Sequence, residues 1–210
     1  MTTGASRLEK KKKLKKGDIL LLLLYMNNCA PIRGRTRLQK MMFVFQEEIM
    51  KQYGFNKKLE LKRQENLFDY RAHRFGPFSK DVFELMEFFV NIQMVDVKFD
   101  SDYEELLDSM DDEDVLVNDI EDDPDLEDNE IYPEGKGDPI YKLTKIGKGY
   151  VEEKLLQYLD EKQKAALEKL KESFNSYSLN QILKYVYTKY PKMTEESEIK
   201  NAVLGRVWPY

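Results

Sequence analysis

Apolar residues along the chain recur mostly at helical spacing, interrupted by short runs with a period of two. Ile19 to Met26, "ILLLLLYM", is apolar on every side and reads as a buried helix, Ile19 to Asn27, capped by the Asp18 carboxylate. "CAPIRGR" breaks that helix. Leu38, Met41, Met42, Phe45 and Ile49 then predict a longer helix from about Thr36 to Tyr53, which Gly54 stops. Leu67 to Phe75 alternates Phe68, Tyr70 and Ala72 against Asp69, Arg71 and His73, the pattern of a half-buried strand. Beyond the "GPFS" turn, Ser79 is placed to cap a third helix with Val82, Leu85, Met86, Phe89 and Val90 facing inward. "MVDVKF" and "IYKLT" read as strands, and a helix follows from roughly Lys145 to Leu159.

Three more helical segments close the chain. Glu161 to Phe174 carries Leu167, Leu170 and Phe174 on one side. Ser178 and Gln181 form a capping-box pattern ahead of an inward stripe of Leu179, Ile182, Leu183, Val186 and Tyr190, which Pro191 ends. Thr194 is positioned to cap a last short helix. There is no internal repeat.

Three helices, a strand, a long loop, a strand and a helix follow the order of a winged helix. The expected class is therefore mainly α (α+β). The expected parts are a basic mobile tail over 1–17, a winged-helix domain over 18–160 and a C-terminal helical extension over 161–210. An enlarged acidic wing spans 100–138, where an insertion is cheap because loop-closure entropy grows only logarithmically with length.

Charge sharpens this division. The net charge of −5 conceals 19 acidic residues and one basic residue, Lys136, between Asp100 and Asp138. The rest of the chain holds 33 basic and 20 acidic residues, a net +13, of which +6 falls in the first 17 residues. A segment this acidic reads as hydrated and mobile from about 101 to 130.

Several function classes lose ground on composition. A single histidine cannot serve a nucleophilic triad unless it centres on His73, whose alternation points it outward among arginines. One histidine and one cysteine cannot form a soft-ligand zinc site. "KIGKGY" lacks the spacing of a phosphate-cradling loop. Acids from Asp119 to Glu130 fall at calcium-loop spacing, but Pro124 occupies the position that needs glycine. No catalysis, metal or cofactor is expected. Cys29 alone allows no internal disulfide and fits a reducing, cytoplasmic compartment. An eight-residue apolar run falls short of the ~20 residues of a membrane span, and no signal peptide is expected.

"RTRLQKMMFVFQEEI", then "YRAHRFGPFSKDVFELMEFF", then "YKLTKIGKGY" together resemble the Panacea (SocA-like) antitoxin domain family and its uncharacterised prokaryotic winged-helix relatives. The resemblance rests on Leu38-Gln39-Lys40, on Phe75-Gly76-Pro77 and on the helix starting straight after. It covers about residues 18–99 and 139–160. His73 and Arg74 stand where family antitoxins often carry a tryptophan. The resemblance implies a non-enzymatic regulatory module that neutralises a toxin by contact, and some members work with proteases.

Two binding classes remain. The third helix would present Lys80, Glu84, Glu87 and Asn91 to a partner, and two glutamates repel phosphates where a winged helix ordinarily reads DNA. A protein partner, a toxin or regulator, is the leading expectation. The alternative is a largely nonspecific nucleic-acid contact. Its candidate residues are Arg33, Arg35, Arg37, Lys40, Arg71, His73 and Arg74, with Lys10, Lys11, Lys12, Lys13, Lys15 and Lys16 in the tail. Gly76-Pro77 is expected to be a structural turn.

Overall fold

The computed structural model describes residues 13–61, 66–99 and 137–205. Most of the acidic insert, Lys10 to Lys12, the calcium-like spacing and the last five residues lie outside them. The described chain is mostly helical with a small antiparallel sheet of three strands, in agreement with the expected α+β class.

Helix α1, Lys16–Cys29, is the centre of the core, with Ile19 to Leu24 buried on every side. An all-apolar helix has no solvent face to offer, so the rest of the chain packs round it. Its helical backbone ends near Tyr25: Met26 is extended, and Asn27, Asn28 and Cys29 all take left-handed φ angles of 54°, 55° and 57°. Asparagine tolerates that region better than most residues. Asp18 is not the residue before the helix but sits in its first turn, where Oδ2 accepts from the Lys15 N–H at 2.7 Å.

The expected mobile tail is anchored at its end. Leu14 is fully buried, its N–H donates to Lys58 O at 2.9 Å and its carbonyl accepts from Glu60 N–H at 2.8 Å. Leu14 is one apolar side chain in a lysine run, and burying it gains about 1.5–3 kcal/mol towards ordering the segment.

Strand β1, Ile32–Arg33, arises in the segment expected only to break the first helix. Helix α2, Arg35–Val44, continues through a π turn, Phe45–Ile49, into Met50–Gln52. The strand expected over Leu67 to Phe75 does not form. Only Arg71 and Phe78 pair, through N–H···O bonds of 2.9 and 3.0 Å. Gly76, at φ 82°, and Pro77, which has no N–H, turn the chain back before a ladder can extend. A Cβ on Gly76 would meet the Tyr187 ring at 2.8 Å, so glycine is required on two counts.

Helix α3, Lys80–Asn91, buries Val82, Phe83, Met86 and Phe89. Strands β2, Val95–Phe99, and β3, Pro139–Leu143, pair antiparallel from Val95↔Leu143 to Phe99↔Pro139, so the two ends of the acidic insert emerge side by side. β1 adds to the other edge of β3 (Ile32↔Tyr141), giving the order β1-β3-β2. Helix α4, Lys145–Tyr150, continues through a second π turn, Val151–Leu155. Its cap, Thr144, accepts from Gly147 N–H at 3.1 Å through Oγ1 and donates to Gln93 O at 2.6 Å, tying α4 to the α3–β2 turn.

Helices α5, Glu161–Ser176, and α6, Leu179–Lys189, carry reciprocal capping boxes, Asp160 with Gln163 and Ser178 with Gln181. Their buried faces join the core built around α1. Thr194 caps nothing: it closes a 3-10 turn by donating to Pro191 O, and the last helix, α7 (Lys200–Val203), has Ile199 before it.

Candidate interaction surface

The Leu38-Gln39-Lys40 and Phe75-Gly76-Pro77 motifs, far apart in sequence, meet in the core. Gln39 clamps Ser79 from both sides: its Nε2 donates to Ser79 O at 2.8 Å and its Oε1 accepts from Ser79 N–H at 3.2 Å. Lys40 Nζ donates to Pro77 O at 2.9 Å. Tyr70 Oη donates to Gln39 O at 3.0 Å. These bonds hold the turn against α2 and set the start of α3. Ser79 stands at the cap position of α3 without a side-chain cap bond, and its buried Oγ has no partner among the described residues.

Lys40 therefore leaves the candidate surface, because its ammonium is buried and satisfied by a carbonyl. Arg37 is half-buried and structural: its guanidinium donates to Arg33 O, to Phe174 O and to Tyr177 O, pinning the end of α5 to the start of α2. Burial lowers its pKa from the ordinary arginine value, and the Asp138 carboxylate opposes that shift. Arg74 makes a fork to Glu198, with N···O distances of 2.8 and 3.0 Å, towards α7. His73 stacks on Phe78 at 4.7 Å.

Arg33 and Arg71 remain exposed, the latter paired with Asp69 at 2.8 Å. Arg35 is half-buried. In the tail, Lys13, Lys15 and Lys16 are exposed, and Lys16 binds Asp81 at 2.7 Å. What joins the two arginine groups is the buried Gln39–Lys40 clamp. A second basic surface was missed by sequence reasoning. On the outward face of the sheet, exposed Lys98 and Lys142 flank Ile140, whose partner across the β1 edge is exposed Arg33, with exposed Asp96 directly opposite Lys142. The alternation of "DVKF" and "IYKL" carried that signal.

The outward face of α3 holds Lys80, Glu84 and Asn91 exposed and Glu87 half-exposed, with Lys80 and Glu84 at 3.8 Å. Phe88 and Ile92 lie beside them, 52% and 40% exposed. They stand one helical turn apart and form an exposed apolar pair within a charged rim.

Another cluster that sequence reasoning did not find lies between the π turn after α2 and helix α6. Glu48, on the π turn of α2, accepts from Tyr185 Oη at 2.6 Å, Tyr190 Oη at 2.8 Å and Lys189 Nζ at 2.7 Å. Burial pushes its carboxyl up, but hydrogen bonds from Lys189 and the two tyrosines outweigh that and hold it below the ordinary glutamate value. The same burial and the neighbouring carboxylate push Tyr190 up. No group of three His, Cys, Asp or Glu able to hold a metal ion occurs among the described residues, and none of their helices is long and apolar enough to cross a membrane. Comparison with family models, with curated proteins and with solved structures finds no match for this chain.

Proposed function

We propose that the chain is a non-catalytic winged-helix regulatory module, working in the cytoplasm, that binds a protein partner in the antitoxin-like manner its resemblance to the Panacea domain implies. The order helix, short strand, helix, helix, then two paired strands, with the short strand joining the sheet at β3, supports the winged-helix reading. One observation carries the choice of partner. The α3 face that would enter a DNA groove presents Glu84 and Glu87 beside exposed Phe88 and Ile92. Carboxylates repel phosphates, whereas apolar anchors rimmed by charge suit a protein interface.

Arg33, Lys98 and Lys142 on the sheet favour a second reading, nonspecific nucleic-acid binding away from α3. Anisotropy titrations with duplex DNA and RNA between 50 and 200 mM salt separate the two. The protein-binding reading expects association that stays weak at physiological salt and depends on no single basic side chain. Tight binding at physiological salt, lost in a Lys98→Ala, Lys142→Ala double variant, would overturn it in favour of the nucleic-acid reading.

A further inference from the structure

A groove of about 320 Å³ lies between α2, α5 and α6, at the low end of the range of small-molecule sites. Its walls are apolar: Val44, Ile49 and Tyr53 from α2 and the turn after it, Leu170 and Phe174 from α5, and Ile182 from α6. The π turn is the structural peculiarity here. It carries Glu48 and Ile49 to the groove, whereas the π turn in α4 buries Val151 and Leu155 in the core. Widened turns of this kind are rare and recur at functional sites. Tyr177 and Tyr185 stand at the groove 49% and 42% exposed.

The polar groups lining it have a defined sign. Glu48, whose two oxygens together take three donors, is matched by Lys189. Lys169, exposed, and Ser173, half-buried, face the groove one helical turn apart on α5. Neither side chain has a hydrogen-bond or ion-pair partner among the described residues. The lining is thus left with one unmatched cation and one unmatched hydroxyl beside an apolar cleft. That pairing suits an anionic head on an apolar body.

We propose that this groove binds a small amphipathic carboxylate, the head held by Lys169 and Ser173 and the body lying between α2 and α5. The volume equals roughly ten waters at about 30 Å³ each, so the body is on the order of ten methylene-sized groups. The proposal is independent of the protein-partner reading, since it concerns a different face from α3.

Decanoate and decyltrimethylammonium below their micelle concentrations, and decanol below its solubility limit, are the probes for titration calorimetry on the full chain. Decanoate should bind saturably at one site. Lys169→Gln, an exposed change that leaves folding intact, should weaken decanoate about tenfold and leave decanol unchanged, the value of one charge-assisted hydrogen bond. Ala166→Phe, filling the groove from α5, should abolish both. Absence of saturable decanoate binding overturns the proposal. So does equal decanoate affinity in wild type and Lys169→Gln, or binding of the trimethylammonium probe as tight as that of decanoate.

Discussion

Gly76 combines two requirements that no other residue meets, a φ of 82° and a Cβ position already filled by the Tyr187 ring. Gly76→Val should lower stability by at least about 1–3 kcal/mol in urea unfolding while partner affinity per folded molecule is kept. Loss of binding at full stability would make the turn a ligand loop. Glu48 is the opposite kind of residue, its role set wholly by tertiary neighbours. Glu48→Gln should cost about 1–2 kcal/mol at pH 7, because a charged acceptor for two tyrosines and a lysine is lost. Its folded pKa lies below the unfolded one, so its contribution is present above the ordinary value of about 4.3 and fades as pH falls through the lower folded value. The gap between wild type and variant should therefore close below about pH 4; a gap unchanged at pH 3 would show that the carboxylate's charge is not what matters. Gly76 was legible in the sequence as a turn. Lys40 was not legible as buried, because its partner is a backbone carbonyl, and carbonyls leave no mark in a sequence.

At the scale of elements, the Ser178–Gln181 capping box and the inward stripes of α3 and α6 were legible. Of the other expected caps, Asp18 lies inside its helix, Ser79 makes no side-chain cap bond and Thr194 closes a 3-10 turn. Reading also failed where pairing is long-range. Two-residue β1 exists only because β3 offers it an edge, and Leu67–Phe75 stays irregular because the turn at Gly76 leaves it no partner. Lys171 links two elements in the same long-range way. Buried on α5, it donates to Leu24 O and Met26 O at 2.9 and 2.7 Å, satisfying carbonyls where α1 unwinds. Burial lowers its pKa to about 8. Between that value and the unfolded lysine value near 10.4, the unfolded chain binds more protons, so stability should rise with pH by up to ~1.4 kcal/mol per unit. Urea midpoints of Lys171→Met between pH 7.5 and 10 should lack that rise. An identical pH slope in both proteins would mean that the buried ammonium does not titrate there.

Across the whole molecule, the charge map was plain from sequence, but the use of the basic residues was not. Arg37 and Lys40 hold the fold together through backbone carbonyls and Arg74 is taken up in an exposed ion pair with Glu198, while Arg33, Lys98 and Lys142 face solvent on the sheet. Asp138, the last residue of the insert, packs beside Gly34 and acts on the Arg37 guanidinium, so that end of the acidic segment meets the basic body. Replacing residues 102–136 with a short Gly/Ser linker should raise affinity for polyanions at low salt, with the gain shrinking as salt rises. A shortened protein that folds normally and binds polyanions no better would leave the insert without a masking role.

The most direct measurement concerns α3. The full chain is immobilised and exposed to native lysate treated with nuclease, alongside a Phe88→Lys, Ile92→Lys double variant whose fold is verified by its unfolding midpoint. The expected result is a protein retained by the wild type after nuclease treatment and lost from the variant. Retention that disappears with nuclease, or that is identical for wild type and variant, would contradict a protein-binding role for this face.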